Sequence, residues 1–268
     1  MSLLSEVHNF ICSICQKMIM KKILQTIYIF LKGKKIIRSI YFFFKKEKFL
    51  FKKKEFIRRN HTVYFGKNVQ ILGMDYITIG ENTCIGDDCW INVSHRPNKD
   101  NIVLNPSIII GKCSFIGRRN FITVGNKVII GDFFLSSVDC SFIGASHLFE
   151  ENKPYILGEV DNVNNIIIGC NVFIGAHTKV IGNVSIGYGS LIGANTTVLK
   201  DIPPFSMVVG SESRVIKRYN FEKKQWDRPE NINIELYPSE EEYRNKLLEN
   251  YPVINKIRHA ASSKEGWL

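Results

Sequence analysis

Residues 168–203, IGCNVFIGAHTKVIGNVSIGYGSLIGANTTVLKDIP, repeat an aliphatic side chain every six positions. The repeated residues are Ile168, Ile174, Val180, Ile186, Ile192 and Val198. An α-helix repeats every 3.6 residues and a half-buried strand every two, so neither explains this spacing. A six-residue period is typical of a β-helix, in which each hexad supplies one short strand and one turn. We therefore expect each aliphatic residue to point inward and to stack on its counterpart one coil away.

Two other places in the hexad are also restricted. Glycine directly follows four of the aliphatic residues, as Gly169, Gly175, Gly187 and Gly193. The fifth place holds only small or β-branched residues, namely Val172, Thr178, Val184, Ser190 and Thr196. Glycine at a corner either avoids a clash that a Cβ would make or permits a positive φ. The pattern therefore predicts tightly stacked turns.

The period extends beyond this block in both directions, with two interruptions. We expect the β-helix to fill residues 63–210 and two loops, 94–107 and 147–165, to leave its coils. Insertions into repeat folds gather on one face and often carry function. The two loops are therefore the first places to look for acceptor-binding residues.

The flanks of the repeat differ from it in composition. Residues 1–62 alternate lysine clusters with aromatic residues and suit a basic helical arm. Residues 211–268 lose the period, and a helix is expected near 239–250, with Ser239 as its N-cap and Glu242 completing a capping box. The predicted fold is therefore mainly β, with a helical region at each end.

The positive charge of the chain is concentrated in the arm. The whole sequence carries 36 Lys/Arg and 25 Asp/Glu, a net charge of +11. Residues 1–60 hold 15 basic and 3 acidic residues (+12), which leaves 21 basic and 22 acidic residues (−1) for the rest. A basic, aromatic-rich arm suits the inner, anionic surface of a membrane. Packing within an oligomer is the other interpretation. Nucleic acid is not the expected partner, because no nucleic-acid-binding motif accompanies the charge.

The seven scattered cysteines of the chain indicate whether the protein works in a reducing or an oxidising compartment. They are Cys12, Cys15, Cys84, Cys89, Cys113, Cys140 and Cys170. An odd number without a disulfide-like framework favours a reducing cytoplasm. Most of them lie in the coils, where we expect small buried residues. Cys12 and Cys15 form an isolated CxxC with no second pair, which does not define a redox or metal site.

The repeat and the segment that ends it, VLKDIPPFSMVVGSESRVIK (198–217), resemble the hexapeptide-repeat acyltransferases. The sugar O-acetyltransferases of the galactoside and maltose type, and those of surface polysaccharide synthesis, are the most similar branch. The resemblance covers about 77–218. It implies a left-handed parallel β-helix, a homotrimer, and acetyl-CoA bound in a groove between neighbouring prisms. Periodicity alone does not give the handedness.

The resemblance also implies a set of cofactor-binding residues. An aromatic residue of the groove and two small residues beside the pantetheine arm correspond to Phe173, Ala176 and Ala194. Four further positions follow the repeat, with basic residues suited to the phosphates of CoA at three of them: Leu199, Lys200, Arg214 and Lys217. Alternatively, these basic residues simply lie in solvent where the chain leaves the β-helix.

His147 occupies the place of the family's catalytic base, at the start of the longer loop. A neutral imidazole near pH 7 suits a base that takes a proton from a sugar hydroxyl. His95 opens the other loop and is the second choice. His177 lies within a hexad and is expected to point outward, where it would line the cofactor groove.

Three polar residues are candidates for the acceptor side of the site. Asn120 corresponds to an asparagine that the family uses near the acceptor, although a corner asparagine of the β-helix is an equal interpretation. Asp139 and Glu150 are near enough in sequence to orient the imidazole of His147, or else are solvated loop carboxylates.

The expected reaction is acetyl transfer from acetyl-CoA to a sugar hydroxyl of a surface polysaccharide or related glycan. The alternative is N-acetylation of a nucleotide-linked amino sugar. A zinc enzyme resembling the γ-type carbonic anhydrases, in which three histidines converge on the metal, is not expected and no metal site is predicted, because the His-x4-His pair of that family is absent here. A trimeric scaffold without activity is the remaining class. A cytoplasmic enzyme, peripheral at the membrane face, fits all of these expectations.

Overall fold

The computed structural model describes residues 22, 35–93, 106–158, 160–161 and 163–251. Cys12, Cys15 and His95 lie outside these residues, as do most of the predicted 94–107 loop and the last seventeen positions. The chain divides into two compact units, Met1–Arg58 and Arg59–Leu268. In the first unit, helix α1 spans Lys35–Arg59. Within the described residues, no helix is both long and apolar enough to cross a bilayer.

The second unit is a parallel β-helix with three flat faces, as the six-residue period predicted. Face A consists of Tyr64–Phe65, Cys84–Ile85, Phe115–Ile116, Leu135–Ser136, Phe173–Ile174, Leu191–Ile192 and Ser206–Val209, extended by the antiparallel strands Arg214–Asn220 and Gln225–Asp227. Face B consists of Gln70–Leu72, Trp90–Asn92, Phe121–Thr123, Ser141–Ile143, Lys179–Ile181 and Thr197–Val198. Face C consists of Ile77–Ile79, Ser107–Ile110, Lys127–Ile130, Asn165–Ile168 and Val184–Ile186. The left-handed sense of the coil stays a prediction.

The register follows the sequence period. Ile174 pairs with Ile192 on face A and Val180 with Val198 on face B. Each coil of the regular block therefore contains three hexads. Every predicted core position of this block is at most 1% exposed: Ile168, Ile174, Val180, Ile186, Ile192 and Val198. Burying such a column of branched aliphatic side chains supplies the main favourable free energy of the fold.

The fifth place of the hexad is also interior. Val172, Thr178, Val184, Ser190 and Thr196 are all buried. The Thr178 hydroxyl donates to the Gly193 carbonyl at 3.0 Å, and the Ser190 hydroxyl donates to the Pro203 carbonyl at 3.1 Å. These bonds lower the cost of burying a hydroxyl group.

Glycine in the hexad is required by close approach between coils. A Cβ on Gly175 would lie 2.5 Å from the Ala194 backbone nitrogen, which is closer than real contacts allow. The positive φ occurs two residues later, at His177 (61°) and Asn195 (56°). Of the two reasons considered for glycine, the steric one is therefore correct at Gly175.

The segment after the coils folds back onto them. Helix α2 spans Glu240–Asn250, with Ser239 as its N-cap and the predicted capping box with Glu242. The Asn171 side-chain amide donates to the Tyr243 hydroxyl, and the Tyr188 hydroxyl donates to the Pro238 carbonyl. These contacts attach the C-terminal segment to the edge between faces C and A.

Candidate active site

The edge between faces A and B brings two predicted cofactor residues together. Ala176 and Ala194 occupy equivalent corners of adjacent coils, and the Asn195 backbone N–H donates to the Ala176 carbonyl at 2.9 Å. Ala176 is half-buried and Ala194 is exposed. The absence of a long side chain at either corner leaves the backbone open to a ligand that lies along this edge.

Three other predicted cofactor residues lie on face A or on the hairpin that extends it. Phe173 pairs with Leu191, which pairs with Met207, and Met207 is opposite Lys217. The Phe173 side chain is 37% exposed, so an aromatic surface is available on the outside of the prism. Arg214 pairs with Val209 at the end of the same hairpin. Phe173, Ala176, Ala194, Arg214 and Lys217 thus belong to one end of face A and its edge with face B.

His147 lies at a different edge, between faces B and C. The insertion 144–164 leaves this edge and begins with a two-residue strand, Ser146–His147, paired antiparallel with Val160–Asp161. The imidazole is exposed to solvent. His147 is therefore presented on a paired strand rather than on an irregular loop.

The other long insertion leaves the same edge. It joins a strand of face B, Trp90–Asn92, to a strand of face C, Ser107–Ile110. The described ends of both insertions therefore lie at the B–C edge of the coils. Leu199 and Lys200 also follow a face B strand and lie at this edge, where both are exposed. Of the seven predicted cofactor residues, these two are thus separated from the other five.

The three acceptor candidates have partners within the chain. Asn120 is 1% exposed, and its amide donates to the carbonyls of Gly117, Arg118 and Ser137 at 2.8–3.2 Å. This is the corner role that the sequence left open, because the amide binds two carbonyls of its own turn and one of the next coil instead of facing solvent. The Glu150 carboxylate forms an ion pair with Lys153 at 3.0 Å.

Asp139 belongs to a cluster that sequence reasoning missed. The Arg119 guanidinium donates two hydrogen bonds to its carboxylate, at 2.6 and 2.7 Å, and His177 Nδ1 lies 4.0 Å from the same carboxylate. The bonds from Arg119 lower the pKa of Asp139. Asp139 thus lies beside His177 on the A–B edge. The three residues share the corner position of successive coils, so a correct coil register would have revealed the cluster.

Four of the five coil cysteines are buried thiols, in line with the prediction for most of them, and Cys113 is half-buried. Burial raises the pKa of Cys89 and Cys140 to about 11 and that of Cys84 and Cys170 to about 12. They are therefore protonated near neutral pH and are poor nucleophiles. No group of three or more His, Cys, Asp or Glu residues suited to a metal ion occurs in the part of the chain that the structure describes.

Comparison with known families identifies the repeat. Residues 165–200 match the family model described as bacterial transferase hexapeptide (six repeats). The hexapeptide-repeat resemblance inferred from the sequence is therefore confirmed for this block. No curated protein sequence matches the chain.

Solved structures with a similar fold are known. A variant of AntD, an N-acyltransferase from Bacillus cereus in complex with dTDP and coenzyme A, is 22% identical, with a TM-score of 0.51. The match covers 74% of this chain and 96% of that chain. A maltose O-acetyltransferase from Clostridium difficile is 21% identical, with a TM-score of 0.42, covering 74% and 83%. The likeness to AntD extends to nearly all of that chain and supports the β-helix fold.

Proposed function

We propose that this protein is an acyltransferase that moves an acetyl group from acetyl-CoA to a sugar hydroxyl. The observation that carries the proposal is the transferase hexapeptide block, residues 165–200, which contains five of the seven proposed cofactor residues. AntD, which has a similar fold, is an N-acyltransferase and binds coenzyme A. The small corner residues Ala176, which is half-buried, and Ala194, which is exposed, suit the pantetheine arm.

The phosphates of CoA are assigned to the basic residues at the end of the block. Lys200, Arg214 and Lys217 are all exposed and flank the last coil. Lysine and arginine recognise phosphate through charge-assisted hydrogen bonds. The proposed donor site thus runs from the small corners toward Arg214 and Lys217 of the same chain, whereas Lys200 lies on the B–C edge.

His147 is the proposed general base. Its neutral imidazole takes the proton of the acceptor hydroxyl as that oxygen attacks the thioester carbonyl. The resulting tetrahedral intermediate expels the CoA thiolate, and the imidazolium returns the proton to that sulfur. The product is an ester, and no covalent acyl-enzyme is needed. Glu150 remains a proposed neighbour on the acceptor side, whereas Asp139 is paired with Arg119 on the other edge.

A homotrimer provides a way to unite the two edges. His147 lies on the B–C edge of the prism and Ala176 on the A–B edge, so one prism does not bring them to the same edge. We assign them to one site made by neighbouring copies. Exposed apolar groups support self-association. Ile109 and Ile167 form an outer stripe on face C at 40% and 47% exposure, and Ile156 in the His147 insertion is 88% exposed.

A second candidate is N-acylation of a nucleotide-linked amino sugar. The likeness to AntD, which was crystallised with dTDP, favours it. An amine is a better nucleophile than a hydroxyl, so this reaction would depend less on a base. The biological setting that we propose for the first reaction is surface polysaccharide synthesis in the cytoplasm.

The test is release of CoA from acetyl-CoA with matched acceptors. We expect turnover with hydroxyl-bearing sugars and glycans, and little with the corresponding 4-amino sugars linked to dTDP. Faster turnover with the amino sugars would favour the second candidate. If calorimetry detects no binding of CoA, both candidate functions are rejected and an inactive trimeric scaffold becomes the favoured interpretation. A variant with Ala194→Trp is the control for binding at the proposed groove.

A further inference from the structure

We propose that helix α1 is an interfacial helix that lies along an anionic lipid surface, with its phenylalanines inserted among the headgroups. This inference goes beyond the proposed reaction and does not depend on it. The helix spans Lys35–Arg59. It holds ten Lys/Arg and two Glu, a net charge of +8.

The apolar residues of α1 occur in triplets that repeat after seven residues. Residues 42–44 read FFF and residues 49–51 read FLF, and all six side chains are exposed. The exposed fraction reaches 58% at Phe43 and 69% at Phe51. Seven residues are about two helical turns, so Phe43 lies above Leu50 and Phe44 above Phe51. These four side chains lie on one side of the helix, with Glu47 and Lys54 among them.

Charged residues fill the spaces between the triplets. Residues 45–48 read KKEK and residues 52–55 read KKKE. A coiled coil needs a second apolar residue three or four places after the first, and those places are charged here. The pattern therefore lacks the narrow seam by which a second copy of α1 would pack along it.

The charge favours an anionic lipid surface as the partner. Lysine stems pack along an apolar environment while their ammonium groups reach the headgroups. Each lysine or arginine near such a surface contributes on the order of 1 kcal/mol. Nucleic acid would also attract the lysines, but it offers no apolar phase for six exposed apolar side chains. Lipid satisfies both features of the helix at once.

The experiment is co-sedimentation of the full-length protein with vesicles of phosphatidylcholine alone or of phosphatidylcholine mixed with the anionic lipid phosphatidylglycerol. We expect binding only to the anionic vesicles. The triple variant Phe43→Ser/Phe44→Ser/Phe51→Ser should bind at least about tenfold more weakly. Replacing Lys45, Lys46, Lys52 and Lys53 by Gln should produce a loss of similar or greater size.

Control variants and alternatives make the result decisive. Ile234→Ser/Leu236→Ser removes exposed apolar side chains from the second unit and should leave vesicle binding unchanged. Absence of binding to anionic vesicles overturns the proposal. A triple variant that binds vesicles normally also overturns it. If the triple variant instead lowers the oligomeric state measured by light scattering, a second copy is the occupant. If wild type prefers an oligonucleotide and the serine variants retain that binding, the basic residues serve nucleic acid.

Discussion

The two edges of face B are built from the same repeat, yet their turns differ in length and regularity. At the A–B edge the turns are alike from coil to coil, with φ between 54° and 61° at Arg119, Asp139, His177 and Asn195. At the B–C edge the connection ranges from two residues, 182–183, to the whole insertion 144–164. The regular edge carries the small corners proposed for the acyl donor. The variable edge carries His147. In the proposed enzyme, the donor and acceptor sides of the site therefore lie on structurally different parts of the same coils.

The largest expected effect is on the rate of acetyl transfer, and it tests whether the two edges of face B have different functions. His147→Ala should slow transfer to a hydroxyl acceptor at least about a hundredfold, equivalent to about 2.7 kcal/mol, because the general base is lost. Affinity for CoA should not change, since the donor corners lie on the other edge. Steady-state kinetics with calorimetry measures both quantities.

His177→Ala is the matched control for that variant. It removes an exposed imidazole from the A–B edge, beside Asp139. Its rate should stay within a few-fold of wild type at saturating acetyl-CoA. A hundredfold loss in His177→Ala with normal turnover in His147→Ala would transfer the role of base to His177.

A second substitution tests how closely adjacent coils pack at the regular edge. Gly175→Ala places a Cβ 2.5 Å from the Ala194 backbone nitrogen and should destabilise the fold by about 1–3 kcal/mol. Chemical denaturation measures this free energy. In the variable edge, a Cβ on Gly158 would meet its nearest atom at 3.3 Å, so Gly158→Ala should change stability by less than about 0.5 kcal/mol. Equal changes in the free energy of unfolding for the two substitutions would contradict the proposed difference in packing between the edges.

The smallest expected effect concerns the pH dependence of stability. The pKa of Asp139 is lowered in the folded state by its bonds with Arg119. This pair therefore contributes stability above the carboxyl's ordinary pKa, and the contribution is lost as pH falls through the lowered pKa. Asp139→Asn should lower the Tm by a few degrees at most at pH 7, because exposed pairs contribute little.

Acidification provides the internal control for the Asp139 variant. As the pH falls below the lowered pKa, the Tm values of the wild type and Asp139→Asn should converge, because the carboxyl is then neutral in both the folded and the unfolded state. A difference that grows on acidification would contradict the assigned sign. Glu249→Gln, in the exposed part of α2, should show no comparable pH-dependent difference.

The coils were predictable because their signal is repeated. The inward position of Ile174 is specified again at Ile168 and Val180, so one irregular hexad does not obscure the period. The hairpin formed by Arg214–Asn220 and Gln225–Asp227 was missed. It has no hexads and depends on antiparallel pairing with the last strand of face A, which is a tertiary contact.

The candidate site was only partly predictable for the same reason. Ala176 and Ala194 are in register within the repeat, so their proximity follows from the period. The contacts of Asp139 with Arg119 and His177 join residues that are distant in sequence, across coils of different length. Asn120 shows the converse case. Its residue type suits an active site, but burial and three hydrogen bonds give it a place in the corner.

The central claim is that one copy supplies the A–B edge and its neighbour supplies the B–C edge of each site. The most direct measurement is the activity of mixed trimers formed from His147→Ala and Ala194→Trp chains in equal amounts. Each variant alone should be inactive, whereas random mixing should restore about a quarter of the wild-type sites, because each intact edge is present half of the time. Mixed trimers with no activity above that of the separate variants would place both edges of a site in the same chain and contradict the account.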